Sequence, residues 1–204
     1  MTTLVAGRAN EHGVDWDLLD GMFRLRDEVF HKRLGWQVNS NNGLERDTFD
    51  ELNPVYLIAR AEGRRVRGCT RILPTTGPYM LKDVFADLLD GESAPQDDAT
   101  WELSRFTADP DRSNPQASVG AISLGLMREA VIFADENDIE RYVAVTSVAM
   151  ERMLKRVGLP MIRLGSGKAR WIGKVLTVAC EIPIDDRTRV ALFGGSENME
   201  RKAA

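Results

Sequence analysis

Histidine and cysteine are almost missing from this chain of 204 residues, with two of each. Cys69 and Cys180 lie in apolar, strand-like runs, and one pair builds no disulfide framework. They read as two reduced core thiols of a cytosolic protein. His12 and His31 have no metal-ligand spacing to each other or to the cysteines, so no metal site is expected. No apolar run approaches the ~20 residues that cross a bilayer. The opening MTTLVAGRANEHG lacks a basic start followed by an apolar stretch, so neither a leader nor stable membrane association is expected. Gly-x-Ser-x-Gly is absent, as is a strand–GxGxxG–helix unit. GSGK (165–168) is only a fragment of a phosphate loop: Ile162 stands where the motif needs glycine, and Ala169 where it needs Ser or Thr. Chemistry here must run on carboxylates, arginines, aromatics and backbone groups, without a metal or other cofactor.

What is present is ordinary for a globular protein in amount and uneven in placement. The net charge of −4 disfavours nucleic acid as a partner. Yet the stretch 152–174 holds Arg152, Lys155, Arg156, Arg163, Lys168, Arg170 and Lys174 and no acid. It reads either as a docking face for one acidic partner or as a solvated face.

The length suits one α/β domain. Residues 15–34 have the spacing of an amphipathic helix (Trp16, Leu19, Phe23, Arg26, Phe30) that ends at Gly35. A long polar loop follows over 37–53. VYLIAR (55–60) and GCTRILP (68–74) form a hairpin. A short helix is expected from Met80 to Leu89, a strand over 100–108, a loop over 110–115 and a long helix over 117–136. Strand 141–147, helix 148–157 and strands 160–165 and 174–182 complete the chain. This order points to a three-layer α/β/α sandwich with a mixed central sheet.

Three clusters could carry chemistry. Arg26, Phe30 and Trp36 could hold a carboxylate and stack on a cation, and the same pattern fits a core-edge helix with a snorkelling arginine. Glu45, Asp47 and Asp50 could bind an amine or sulfonium, or be plain loop charge. WELSRF places Glu102 and Arg105 in a strand centre, where charge normally faces a partner or a site. Strand alternation would send the two to opposite faces, so a shared site requires a bulge. The alternative is an ion pair at the sheet edge.

LRDEVFHKRLGW (25–36), ERDTFD (45–50), GCTRILPTT (68–76), WELSRF (101–106) and YVAVTSVAMERMLKRVG (142–158) together resemble the LuxI-type autoinducer synthases over most of the chain. The resemblance implies a fold similar to the N-acetyltransferases. It implies acyl-homoserine-lactone synthesis: transfer of an acyl chain from acyl-carrier protein to the amine of S-adenosylmethionine, then lactonisation with release of methylthioadenosine. It places Arg26, Phe30, Trp36, Asp47, Asp50, Arg71 and Arg105 at the S-adenosylmethionine site, with Glu102 and Arg105 as the catalytic pair. It lines the acyl pocket with Ser104, Met127, Ala130, Ala144, Thr146, Ser147, Met150 and Leu154. The basic stretch becomes the carrier-protein face through Arg152, Lys155, Arg156, Lys168 and Arg170. Ala at 144, where relatives using 3-oxo chains tend to have Thr, favours an unsubstituted hexanoyl to octanoyl chain. The expected organisation is one domain: residues 1–53 are a mobile helix and loop covering the S-adenosylmethionine site, and 54–204 are the core. Two rival readings remain. An acetyl-CoA-dependent N-acetyltransferase would want an R-x-x-G-x-G/A turn, which 107–120 lacks. A non-catalytic acyl or adenosyl sensor would not need Glu102 and Arg105 together with the loop acids.

Overall fold

The computed structural model describes residues 2–11, 13–109 and 115–194; His12 and residues 110–114 of the loop expected over 110–115 lie outside them, while Pro115 already opens the long helix. Eight strands form one sheet in the order β1 (Thr3–Gly7), β4 (Val55–Arg60), β5 (Val66–Pro74), β6 (Thr100–Ala108), β7 (Arg141–Ser147), β10 (Val175–Pro183) and β8 (Ile162–Arg163). β9 (Arg170–Ile172) pairs separately with β10, and the short strands β2 (Ser40–Asn41) and β3 (Leu44–Glu45) form a ribbon outside the sheet. All pairings are antiparallel except β6 with β7, so the sheet is mixed.

Both faces of the sheet are covered, which explains its nearly continuous apolar strands. Along β4, Val55, Leu57 and Ala59 enter the cluster beneath α3 (Pro115–Glu136), α4 (Val148–Arg156) and α5 (Asp186–Phe193). Tyr56 and Ile58 alternate into a second cluster under α1 (Trp16–Arg26). Beside α1, Tyr79, Leu81, Leu88 and Leu89 cover Val143 and Ala179. They come from α2 (Met80–Asp83) and the 3₁₀ turn Ala86–Leu89, two pieces where the sequence suggested one helix. This is the expected α/β/α sandwich. Cys69 and Cys180 are free and buried in opposite layers, and burial pushes both thiols up to about 12.

The helix expected over 15–34 is α-helical only to Arg26 and winds on as a π-helix from Asp27 to Arg33. Asp15 caps its start by accepting from Leu18 N. Buried Asp27 accepts hydrogen bonds from Ser40 Oγ and His31 Nδ1 and pairs with Lys32, tying the π turn to the loop beyond it. The expected 37–53 loop is more ordered than its composition suggests. It holds the β2–β3 ribbon and a 3₁₀ helix, Thr48–Glu51, whose capping box is made by Asp47 and Asp50.

The first GSGK glycine serves backbone packing. Gly165 has φ +60°, and a Cβ there would sit 2.6 Å from the Leu89 carbonyl carbon. Gly165→Ala is expected to cost about 2 kcal/mol or more, lowering the melting temperature by about 4–8 °C. A calorimetric scan within 1 °C of the parent would show that the Leu89 turn can give way.

Candidate active site

β6 and β7 carry the site between them. Thr100–Leu103 pair with Arg141–Ala144, and there the ladder stops, although β6 runs on to Ala108 and β7 to Ser147. The strands splay apart. On its other edge, β6 sets Ser104 against Arg71 and Thr107 against Cys69, so Thr70 alone faces both Arg105 and Phe106. This is the bulge the sequence required. Arg105 takes φ +55°, a left-handed conformation that costs a non-glycine residue about 1 kcal/mol or more. Thr70 Oγ1 anchors the bulge by donating to the Ser104 carbonyl at 3.0 Å.

A cavity of about 580 Å³ fills the splay, within the usual range for small-molecule sites. Three apolar clusters meet in it. Phe30, Leu34 and Trp36 come from the α1 layer; Phe106, Val148, Met150 and Leu176 from the α3 side; Phe85 and Val145 from the α2 side. Glu102, Ser104, Arg105 and Thr107 supply polar groups from β6.

Behind the cavity lies a buried network of three arginines and three acids. Arg26 donates to Asp50 through two nitrogens at 2.8 and 2.9 Å, and to Glu45 at 2.5 Å. Arg71 binds Asp47 at 2.5 Å and Asp50 at 2.9 Å, and its Nε donates to Ser104 Oγ at 3.2 Å. Arg105 reaches Glu45 at 3.0 Å and Asp47 at 2.8 Å. Tyr56 donates its hydroxyl to Asp50. Burial works against the Asp50 charge, but Arg26 and Arg71 outweigh it and hold the carboxyl well below the usual range. Formal charge within the network cancels. Arg105, Arg26 and Arg71 also lie over the rings of Phe30, Phe23 and Phe49.

Of the residues expected to bind S-adenosylmethionine, Phe30, Trp36 and Arg105 line the cavity; Arg26, Asp47, Asp50 and Arg71 stand in the network behind it. Phe30 and Trp36 stack with ring centroids 5.3 Å apart. Glu45 is a network member that the sequence reading saw in its acid cluster but left out of the site. It is fully buried and bridges Arg26 to Arg105. Its neighbours Leu44 and Arg46 are half-buried and exposed, so the local pattern does not single it out.

Glu102 lines the cavity yet is almost wholly buried, and it accepts from the Met80 and Leu81 amides at 3.0 and 2.7 Å. Burial raises its pKa, and the two amide hydrogen bonds oppose the shift without cancelling it. A buried carboxyl raised in this way is suited to exchange protons with a bound amine.

Of the expected acyl-pocket residues, Ser104, Thr146, Ser147 and Met150 line the cavity. Met127, Ala130, Ala144 and Leu154 lie behind that wall in the α3-side core. Of the expected docking cations, Arg152 lines the cavity, as does Lys174. Arg156 and Lys168 are exposed. Lys155 and Arg163 both bind buried Glu151, whose pKa falls to about 2, chiefly through the hydrogen bonds from Arg163. Arg170 pairs with Asp90. The stretch that holds no acid in sequence is thus partly balanced in space by acids from outside it.

A family model described as "Autoinducer synthase" matches residues 13–192. The acyl-homoserine-lactone synthase of Pseudomonas aeruginosa is 40% identical over 193 residues, covering 93% of this chain and 92% of that protein. The crystal structure of the AHL synthase LasI superposes with a TM-score of 0.87 at 38% identity, covering 96% of each chain. BjaI, a CoA-dependent acyl-homoserine lactone synthase solved with SAM and isopentyl-CoA, has a TM-score of 0.76 at 30% identity, covering 92% of this chain and 87% of its own. A putative N-acetyltransferase from Lactobacillus plantarum, 11% identical with a TM-score of 0.58 over 90% of this chain and 99% of its own, shares the fold alone.

Proposed function

Since the chain belongs to the autoinducer synthase family and is an acyltransferase of the acyl-homoserine-lactone synthase class, we propose that it joins an unsubstituted hexanoyl to octanoyl chain from acyl-carrier protein to S-adenosylmethionine and releases methylthioadenosine. One observation carries this reading. Glu102 and Arg105, brought together by the bulge, share a cavity with the Phe30–Trp36 pair and an apolar wall.

In the first step the methionine amine attacks the thioester carbon: a C–N bond forms, the C–S bond breaks and the carrier thiol leaves. Glu102, as carboxylate, takes the proton that the amine must lose. Backbone N–H groups along the splay meet the charge that grows on the thioester oxygen. In the second step a carboxylate oxygen attacks the γ-carbon, closing the lactone as the sulfonium C–S bond breaks. Arg105 is our choice to hold that carboxylate, because it is the arginine of the network that lines the cavity. The Phe30 and Trp36 faces suit the sulfonium and adenosyl group. Phe106, Val148, Met150 and Leu176 receive the acyl chain. The N-terminal 53 residues close the S-adenosylmethionine side. We place the enzyme in the cytoplasm, where acyl-carrier protein and S-adenosylmethionine meet, and S-adenosylmethionine is consumed as a substrate, leaving no cofactor to recruit.

The carrier protein is favoured as donor by the cations at and near the cavity, Arg152, Arg156, Lys168 and Lys174, because carrier proteins are strongly acidic. Arg156→Glu combined with Lys168→Glu, both outside the cavity lining, is expected to raise the KM for acyl-carrier protein about tenfold at low salt, and less in 0.5 M salt. Calorimetric S-adenosylmethionine binding is expected to stay unchanged. Equal loss of both would count against a docking face. The decisive assay is purified protein with S-adenosylmethionine and a panel of acyl-carrier and acyl-CoA thioesters, followed by mass spectrometry of the organic extract. Lactone made only from CoA thioesters would replace the donor; lactone from none would end the reading.

A further inference from the structure

One wall of the cavity holds polar atoms that no described residue satisfies. Thr107 is 3% exposed and lines the cavity, and its hydroxyl has no hydrogen-bond partner among the described residues. Trp36 Nε1, in the same lining, is buried and equally unpartnered. Buried hydroxyls and indole N–H groups are normally paired, so two orphans on residues that line one cavity point to a ligand that brings its own polar atoms.

The sheet register says which half of the cavity this is. Thr107 stands opposite Cys69, and paired residues share a face. Cys69 packs in the α1-layer cluster with Val29 and Phe30, while Phe106, the neighbour of Thr107 in β6, turns the other way into the α3-side cluster. Thr107 therefore belongs to the compartment of the Phe30–Trp36 pair, across the strand from the apolar wall. A group bound there stacks on aromatics, accepts from Trp36 and exchanges a hydrogen bond with a hydroxyl. A nucleoside meets all three demands through its planar base, ring nitrogens and ribose hydroxyls.

We propose that the Thr107 hydroxyl is a binding group for the adenosyl half of S-adenosylmethionine, an assignment that rests on reading the chain as a lactone synthase. The test is titration calorimetry of the full chain with S-adenosylmethionine and, separately, methylthioadenosine. Wild type is compared with Thr107→Val, which removes the hydroxyl at nearly constant shape, and Thr107→Ser, which keeps it. Thr107→Val is expected to weaken both ligands about tenfold and to leave the KM for the acyl donor where it was. Its ligand-free melting temperature is expected to be no lower than wild type, because an unpaired buried hydroxyl has been removed. Thr107→Ser is expected to bind within about twofold of wild type. Unchanged affinity for both ligands in Thr107→Val overturns the proposal, as does an effect confined to the acyl donor. Failure of the wild-type protein to bind either ligand overturns the synthase reading itself, a different and distinguishable result.

Discussion

Asp50→Ala is expected to destabilise the protein by about 3–5 kcal/mol and to lower its melting temperature by about 6–20 °C. The reason is the bookkeeping of the buried network. Asp50 binds Arg26 and Arg71 and accepts from Tyr56 and from the Asp47 amide. Removing it leaves two buried guanidiniums with one carboxylate partner fewer and opens the cap of the 3₁₀ helix that carries Asp47. A second change, Arg26→Met, made on top of Asp50→Ala, is expected to recover part of the loss by removing a stranded cation, which additive effects would not do. The sign with pH follows from the depressed Asp50 carboxyl: its contribution is whole above the unfolded carboxylate range and fades as pH falls toward the folded value. Should Asp50→Ala melt within 2 °C of wild type and yet make no lactone, the acid would be a substrate ligand rather than a strut.

Glu102→Gln is expected to lower kcat by about 10²–10⁴-fold while S-adenosylmethionine still binds. Glutamine keeps the shape but has one oxygen where Glu102 uses two, so it can serve the amide of Met80 or of Leu81 but not both, and it cannot take a proton. The wild-type kcat/KM should fall on the acid side through the value of Glu102, which burial places above the ordinary glutamate range. Because that value is raised on folding, the folded state binds the extra proton, and stability drops as pH climbs through the window between the unfolded and folded values. The glutamine variant lacks this pH dependence, so its stability should stay flat across that window, lowered by about 1–3 kcal/mol for the amide left without an acceptor. Retention of more than a tenth of wild-type kcat would remove Glu102 from the proton-transfer role.

The central strands and long helices were legible because their apolar runs are buried on both faces: VYLIAR and RYVAVTS allow little else. The bulge was legible as a requirement, from Glu102 and Arg105 in one strand, though not its place opposite Thr70. Other elements were hidden for physical reasons. β1 is five residues long and gains its identity only by pairing with β4, fifty residues away. β9 carries an exposed arginine and tryptophan and has no alternation to display. α5 did have a signal, Asp185 three residues before Thr188, and its cap forms as that spacing allows. The π turn after Arg26 has no local signature, since its contacts with Ser40 lie outside any helical window. In the site, charge identity was readable but charge pairing was not. Nothing in ERDTFD says that its acids would spend themselves on Arg26, Arg71 and Arg105.

The early end of the β6–β7 ladder makes the sheet two panels hung on a short seam. Among the described residues, Thr100 to Leu103 against Arg141 to Ala144, with the Ala99 carbonyl just before them, stitches β6 to β7 by main-chain bonds. The seam between the two panels is thus short beside the proposed site. Whatever occupies the gap becomes, for as long as it stays, part of the wall that holds the two panels together.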